Sequence, residues 1–351
     1  MLLRILVYNL LMLVVDAATI RSARQSNLAA CVGGVFAAGM VAIVLAVAFG
    51  GGPFSIFHLA AYGLFLHGTI VLTGTAVVLS RRHRKTSTAS AVVAIGLVAV
   101  AVDAFLVEPT WLEVTRIELP SAKIDRPIKV VVLADLQTDR IGGYERDVLR
   151  RVMEEDADVI LLVGDYLQLR GEQYDEVRRQ LNDLLHEIGF PGRAKVFAVE
   201  GNLDAGPWPE IFEGLDVTAT RTTESFELDD LRVTCLGLWA SRQTTTVVDQ
   251  PTSDRYHIVL GHVPSFALGQ INADLLVAGH THGGQVRLPG IGPLMTLSAV
   301  PRSWAAGLTE LPGGRKLLVS RGIGMERATA PRLRFLCRPQ LVVVNLIPQS
   351  D

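Results

Sequence analysis

The stretch Leu275-Leu-Val-Ala-Gly-His-Thr-His282 (LLVAGHTH) decides how this chain is read. Leu275–Ala278 has the look of a short strand buried on both faces. Gly279 lets the backbone turn sharply at its end. Two imidazoles follow in His-x-His order, at the carboxyl end of the strand, where α/β sheets bind their ligands. Working outward, the same arrangement recurs. Ile128–Ala134 runs into Asp135, Val159–Val163 into Gly164-Asp165, Val196–Glu200 into Gly201-Asn202, and His257–Leu260 into Gly261-His262. A lone strand-end aspartate is usually a cap or a solvated loop. Five such ends in series, closed by His-x-His, point to one shared site. The donor set holds carboxylate, amide and imidazole and no thiolate, which suits Mn, Fe or Zn without choosing among them.

Between these strands, Glu145–Glu155 and Glu172–Ile188 read as amphipathic helices, and Val233–Leu238 as a further strand. Alternating strands and helices indicate a layered α/β domain over 128–351. Glu108–Pro127 reads as a connector and entry strand, with Pro109, Pro120 and Pro127 as breakers. Leu317–Val319 and Leu341–Leu346 read as late strands of a second sheet.

Residues 1–107 are of a different kind. Apolar runs cover 2–20, 28–49, 55–80 and 89–107, the last three near the ~20 residues that cross a bilayer. The first carries Asn9 and Asp16 and is the weakest; further apolar runs follow it directly, which favours a retained helix over a cleaved signal. Arg21 and Arg24 separate the first two runs, and Arg81, Arg82, Arg84 and Lys85 the last two, whereas Gly50–Phe54 has no basic residue. Basic loops stay in the cytoplasm, so the chain reads as a multi-pass cell-membrane protein with an extracytoplasmic C-terminal domain. Asp16 and Asp103 lie near run ends, within reach of the interface. His58 and His67, nine positions apart, face opposite sides of one helix at about 100° per residue and read as packing contacts; transport is unsupported.

The net charge of −2 gives no basic field for a nucleic-acid polymer. Cys31, Cys235 and Cys337 form neither a CxxC pair nor a disulfide-dense pattern.

The order Asp135-x-Gln137, Gly164-Asp165, Gly201-Asn202-x-Asp204, Gly261-His262 and Gly279-His280-Thr281-His282 resembles the calcineurin-like metallophosphoesterases, from about Ile128 to the C-terminus. GHTHGGQ (Gly279–Gln285), SRGIG (Ser320–Gly324) and the Arg334…Pro339 stretch are similar to a branch containing membrane-attached bacterial phosphodiesterases. The resemblance implies N-terminal transmembrane helices followed by a four-layer αββα sandwich. It also implies two divalent metal ions. Asp135, Asp165 and His282, with Gln137 as a possible fourth ligand, would hold the first; Asp165, Asn202, His262 and His280 would hold the second, with Asp165 shared. Asp165, Asn202 and His280 are then the expected catalytic set. Paired metals lower the pKa of a water and clamp phosphoryl oxygens during in-line attack. The implied substrate is a phosphodiester or pyrophosphate, and the membrane anchor points to one carried by a lipid or glycolipid.

Two positions depart from the family pattern. Gln137 stands where it has His, which predicts a weaker or more selective first metal site. Leu203 stands where it has the His thought to protonate the leaving group, a role typically worth about 10²–10⁴-fold. Two readings follow: an enzyme for substrates whose leaving group departs unprotonated, or a membrane-bound scaffold or sensor that binds without turnover. The first is preferred, because both carboxylates and every ligand of the second metal remain. Among lesser candidates, Asp139 and Arg140 are as consistent with a solvated loop as with substrate contact, and Arg287, Arg302 and Arg321 could bind phosphate, with none of the three singled out. Trp208 reads as a loop anchor, His186 as surface, and Gly283-Gly284 as a turn under the site.

Overall fold

The computed structural model of the protein describes residues 1–25, 27–204, 206–249 and 254–349. The chain divides into two compact units. Met1–Val107 together with Glu326–Arg332 make one, and the rest of the chain from Glu108 onward makes the other.

The first unit is helical. Helices α1 (Leu2–Gln25), α2 (Leu28–Phe49), α3 (Pro53–Leu79) and α4 (Arg84–Thr110) are each long and apolar enough to cross a bilayer. They coincide with the four apolar runs and extend past them at several ends. Asp16 corrects one expectation. The helix carries on to Gln25, so this residue lies inside the unit, only 2% exposed, and not at an interface. A carboxyl group in such surroundings needs a partner. His67 supplies it, with Nδ1 2.7 Å from Asp16 Oδ2 and Nε2 2.9 Å from Asn9 Oδ1. His58 turns elsewhere, to the Thr329 carbonyl at 3.1 Å. The two histidines therefore make separate packing contacts, as their spacing implies.

The second unit is built on two six-stranded sheets. In chain order the strands are β1 (Glu113–Ser121), β2 (Ile128–Leu133), β3 (Val159–Leu162), β4 (Lys195–Val199), β5 (Val217–Thr220), β6 (Glu224–Glu227), β7 (Leu231–Cys235), β8 (Tyr256–Leu260), β9 (Leu275–Ala278), β10 (Gly307–Glu310), β11 (Lys316–Val319) and β12 (Gln340–Pro348). The first sheet runs β1-β12-β2-β3-β4-β5 and the second β10-β11-β9-β8-β7-β6. Strands β2 to β5 in one sheet and β7, β8, β9 and β11 in the other are parallel to one another. Parallel strands covered on both faces are apolar throughout rather than alternating, which is why these runs stand out in the sequence.

The two faces of each strand serve different cores. Val131, Leu133, Ile160, Leu162, Val196 and Ala198 of the first sheet pack on Val148, Leu149 and Val152 of α5 (Gly143–Glu154) and on Val177, Leu181 and Leu184 of α6 (Glu172–Glu187). Their neighbours Val130, Val132, Leu161, Val163, Phe197 and Val199 meet Val233, Ile258, Leu260, Leu275 and Val277 of the second sheet. The far face of that sheet is covered by Leu236, Phe266 and Leu311. The outermost layer is thin: α7 (Leu238–Arg242) and a single turn at Pro264–Leu268 stand where a full helical layer was expected.

Leu341–Leu346 corrects a second expectation. It belongs to the first sheet, wedged between β1 (parallel) and β2 (antiparallel). An apolar run identifies a strand but does not say which sheet buries it. Nor are the five ligand-bearing strands consecutive: β2, β3 and β4 belong to the first sheet, β8 and β9 to the second.

Candidate metal centre

The carboxyl ends of β2, β3 and β4 face those of β8 and β9, and the candidate ligands hang from the turns just beyond. At five of them the backbone is forced into the left-handed region: φ is 49° at Asp135, 39° at Gln137, 54° at Asp165, 70° at His280 and 48° at His282. For a residue with a Cβ this costs roughly 1–2 kcal/mol each. Such strain clusters where function demands it. Here it is held by backbone bonds, Asp135 N–H to Gly164 O at 3.1 Å and Gln137 N–H to Asp165 O at 2.8 Å.

Two glycines let the turns after β3 and β4 approach. A Cβ on Gly201 would lie 2.1 Å from Asp165 N, and one on Gly164 would lie 2.5 Å from Gly201 N. Asp204 then ties the pair together. Its carboxylate accepts from Gly201 N–H at 2.7 Å, Asp165 N–H at 2.9 Å and Tyr166 N–H at 2.8 Å. Asp204 belongs to the Gly201-Asn202-x-Asp204 motif, and this capping role is not apparent from the motif alone. Its position three residues past Gly201 was the available signal, since a side chain there reaches back to cap the turn.

Asp165, His262 and His280 each present a ligand atom within 4.8 Å of the others. His262 is fully buried, and its Nδ1–H donates to Val163 O at 2.7 Å. That commits Nδ1 and leaves Nε2 to face Asp165 Oδ2 at 3.3 Å and Asn202 Oδ1 at 3.1 Å. Three acceptors aimed at one point need a proton or a cation among them. His280 is arranged the same way: Nε2–H donates to Leu297 O at 3.2 Å, which leaves Nδ1 to be offered. The structure thus brings together Asp165, Asn202, His262 and His280, the whole set expected at the second metal.

The other candidates are buried alongside. Asp135 Oδ1 lies 3.9 Å from His262 Nδ1, and its two oxygens accept from His280 N–H at 3.0 and 3.1 Å. His282 is buried with Nδ1 lacking a hydrogen-bond partner among the described residues. A buried imidazole nitrogen left so is costly unless something ligates it. Gln137 is fully buried and commits Nε2–H to Gln168 Oε1 at 3.0 Å, so Oε1 is the atom it can offer a cation. These three do not fall within the tight Asp165–His262–His280 cluster.

The electrostatics fit a site built for positive charge. Burial alone would lower His262, but the Asp165 and Asp135 carboxylates overcome it and raise it to about 9. Burial pushes the Asp135 carboxyl up to about 7, while Asp165, beside His262, is held below the ordinary carboxylate range against the same effect. Burial, reinforced by the charge on His262, lowers His280 to about 4; burial, reinforced by Arg334, keeps His282 neutral. Metal binds neutral imidazoles and ionised carboxylates, so His280 and His282 are already in the binding form, whereas His262 must give up its proton to a cation.

Several lesser candidates resolve into structure. Trp208 is fully buried and stacks on Tyr166 at 5.4 Å, as a loop anchor. His186 caps a turn through Glu213 O at 3.0 Å. Arg321 pairs with Glu113 at 3.0 Å, Arg287 bonds Gly283 O at 3.2 Å, and Arg302 bonds Pro293 O. All three cysteines are free. Leu203 sends its N–H to Asp165 Oδ1 at 2.8 Å and adds no titratable group.

A family model described as calcineurin-like phosphoesterase matches residues 128–284. Phosphodiesterase YaeI of Escherichia coli is 29% identical over 257 residues, 68% of this chain and 90% of its own length. The metallophosphoesterase YkuE of Bacillus subtilis is 38% identical over 265 residues, 68% of this chain and 87% of its own. A metallophosphoesterase of Aquifex aeolicus is 24% identical over 262 residues, 68% of this chain and 93% of its own.

Proposed function

The chain belongs to the calcineurin-like metallophosphoesterases and is a hydrolase acting on phosphoester bonds, and from that premise we propose that it cleaves a phosphodiester or pyrophosphate of a lipid or glycolipid at a membrane surface, using two divalent cations. Asp165, Asn202, His262 and His280 hold one cation, and Asp135, Asp165, His282 and the Gln137 carbonyl oxygen hold the other. The observation that carries this reading is the convergence of His262 Nε2, Asp165 Oδ2 at 3.3 Å and Asn202 Oδ1 at 3.1 Å on one buried point, where a proton sits in the metal-free protein and a cation can take its place.

Bound cations would supply an activated water and positive charge for the phosphoryl oxygens. The residues themselves do three things. Asp165 is anchored by Leu203 N–H on Oδ1 and by its own N–H to Asp204, so its carboxylate is fixed before substrate arrives. The His262 tautomer is set by Val163 O and the His280 tautomer by Leu297 O, so neither ring needs to reorganise. Preorganisation of this kind favours a transition state in which charge spreads over the phosphoryl oxygens. Leu203 offers no proton, so the natural leaving group departs as a stable anion, as a phosphate-linked group does.

The lipid assignment rests on the four apolar helices. Tethering raises the effective concentration of a site over a two-dimensional substrate. With basic loops retained in the cytoplasm, the domain faces the other side of a cell membrane. The test compares the full-length chain in vesicles of anionic phospholipid with the same protein in detergent acting on a soluble diester. Faster turnover of the lipid substrate is expected, and equal rates would remove the lipid assignment while leaving the hydrolase.

A further inference from the structure

Arg334 is fully buried, and its guanidinium is bonded to main-chain carbonyls. Nε–H donates to Gly324 O at 2.9 Å, Nη1–H to Cys337 O at 2.9 Å, and Nη2–H to Arg321 O at 2.8 Å and Gly322 O at 3.2 Å. Burying a charge against neutral acceptors is expensive, so the arrangement calls for an explanation beyond packing.

The carbonyls it gathers belong to two loops, and each loop supports a different ligand. On one side, Gly322 and Gly324 lie flat against the turn that carries Asp135. Gly324 N–H donates to Asp135 O at 2.7 Å and Ile323 N–H to Ala134 O at 3.0 Å. A Cβ on Gly322 would come within 2.7 Å of Asp135 Cβ, and one on Gly324 within 2.3 Å of Leu136 O. On the other side, Cys337 Sγ–H donates to His282 O at 3.2 Å, and Phe335 N–H donates to Gln285 O at 3.0 Å. Glu108 closes this second loop by accepting from the N–H groups of Leu336 and Cys337. The second ligand set has anchors of its own, His262 through Val163, Asn202 through the Asp204 turn and His280 through Leu297, and one link across, His280 N–H to the Asp135 carboxylate at 3.0 and 3.1 Å.

We propose that Arg334 is the positioning residue of the first metal position: its planar fork locks the loop beneath Asp135 to the loop beneath His282 and so fixes the spacing of these two ligands, while the other position keeps its own anchors. The inference rests on the two-cation reading above. A guanidinium suits the task because its donors lie in one plane with fixed directions. A lysine keeps the charge but has no fork to bridge four carbonyls.

The test uses the full-length chain in detergent, stripped with EDTA and titrated with Mn²⁺ alone by calorimetry, with bound metal counted by mass spectrometry. Wild type is expected to take two ions. Arg334→Met and Arg334→Lys are expected to keep one site at wild-type affinity and to weaken the other about 10–100-fold, the usual cost of removing support behind a ligand. Arg338→Met, in the same segment but stacked on Trp111, should keep both. If Arg334→Met does not fold, Arg334→Lys carries the test, with the metal-free melting temperature as its folding check. Two unchanged sites in the folded Arg334 variants would overturn the inference, as would equal loss of both sites. Failure of the wild type itself to bind two ions would overturn the underlying reading instead, so the two failures are distinguishable.

Discussion

Gly201→Ala is the substitution whose consequence can be worked furthest from the structure. A Cβ there would lie 2.1 Å from Asp165 N, 2.2 Å from Asp165 Oδ1 and 2.8 Å from Asp165 Cγ. Ordinary contact begins near 3.4 Å, so the two turns must part by roughly an ångström. Overpacking of this kind costs about 1–3 kcal/mol. Parting them also breaks hydrogen bonds that hold Asp165, its N–H to Asp204 at 2.9 Å and Leu203 N–H to its Oδ1 at 2.8 Å. Each such bond contributes about 1–3 kcal/mol, the upper end applying to charged groups. The total, about 3–9 kcal/mol, is divided between fold and site, and every 1.4 kcal/mol on the site is tenfold in affinity. Metal affinity is therefore expected to fall at least a hundredfold, read by Mn²⁺ titration, with a lower melting temperature alongside. Gly143→Ala is the control, since nothing lies within 4 Å of a Cβ at the first residue of α5. A Gly201→Ala protein that binds Mn²⁺ like wild type would refute the claim that close approach of these turns builds the site.

Four further outcomes follow from the same geometry. In the metal-free protein His262 keeps its proton until about pH 9, so metal uptake between pH 7 and 9 must expel that proton and affinity must rise with pH; calorimetry in buffers of different ionisation heat should detect about one proton released per chain. Stripped of metal, the same protein should lose stability as pH climbs from 6.5, the ordinary value, through about 9, because the folded-state proton on His262 is then lost; pH-dependent melting in EDTA checks it, and an unchanged melting point would contradict it. Leu203→His should raise turnover of esters with poor leaving groups by about tenfold or more while leaving activated aryl esters alone, as paired rate measurements would show. Gln137→His should tighten the weaker of two Mn²⁺ sites, and a titration of wild type showing two equally tight sites would already contradict the premise.

How much of this was legible in the sequence differs from residue to residue. The central strands were readable because both faces are buried: Val159–Leu162 and Leu275–Ala278 are apolar without interruption and end at a glycine. The ligands were readable because they sit directly after those runs. The edge strands Val217–Thr220, Glu224–Glu227 and Gly307–Glu310 escaped notice, being short and half polar. The placing of Gln340–Pro348 in the first sheet was also missed, since pairing with Ile128–Leu133 spans about two hundred residues and leaves no local trace. Asp16 was misjudged because its partner His67 lies on another helix. Arg334 was seen only as part of a recurring stretch: its work is to gather carbonyls from two loops, and carbonyls have no sequence signature.

The central claim is that these strand ends form a metal-dependent phosphoesterase site. Its most direct test is hydrolysis of bis-p-nitrophenyl phosphate by the EDTA-stripped full-length protein, with Mn²⁺, Zn²⁺ or Fe²⁺ added back, beside Asp165→Asn. The phenolate leaves without a general acid, so Leu203 cannot mask the chemistry. Turnover that appears only with metal and vanishes in Asp165→Asn is the predicted result; a folded, metal-loaded protein with no turnover under any metal would contradict it.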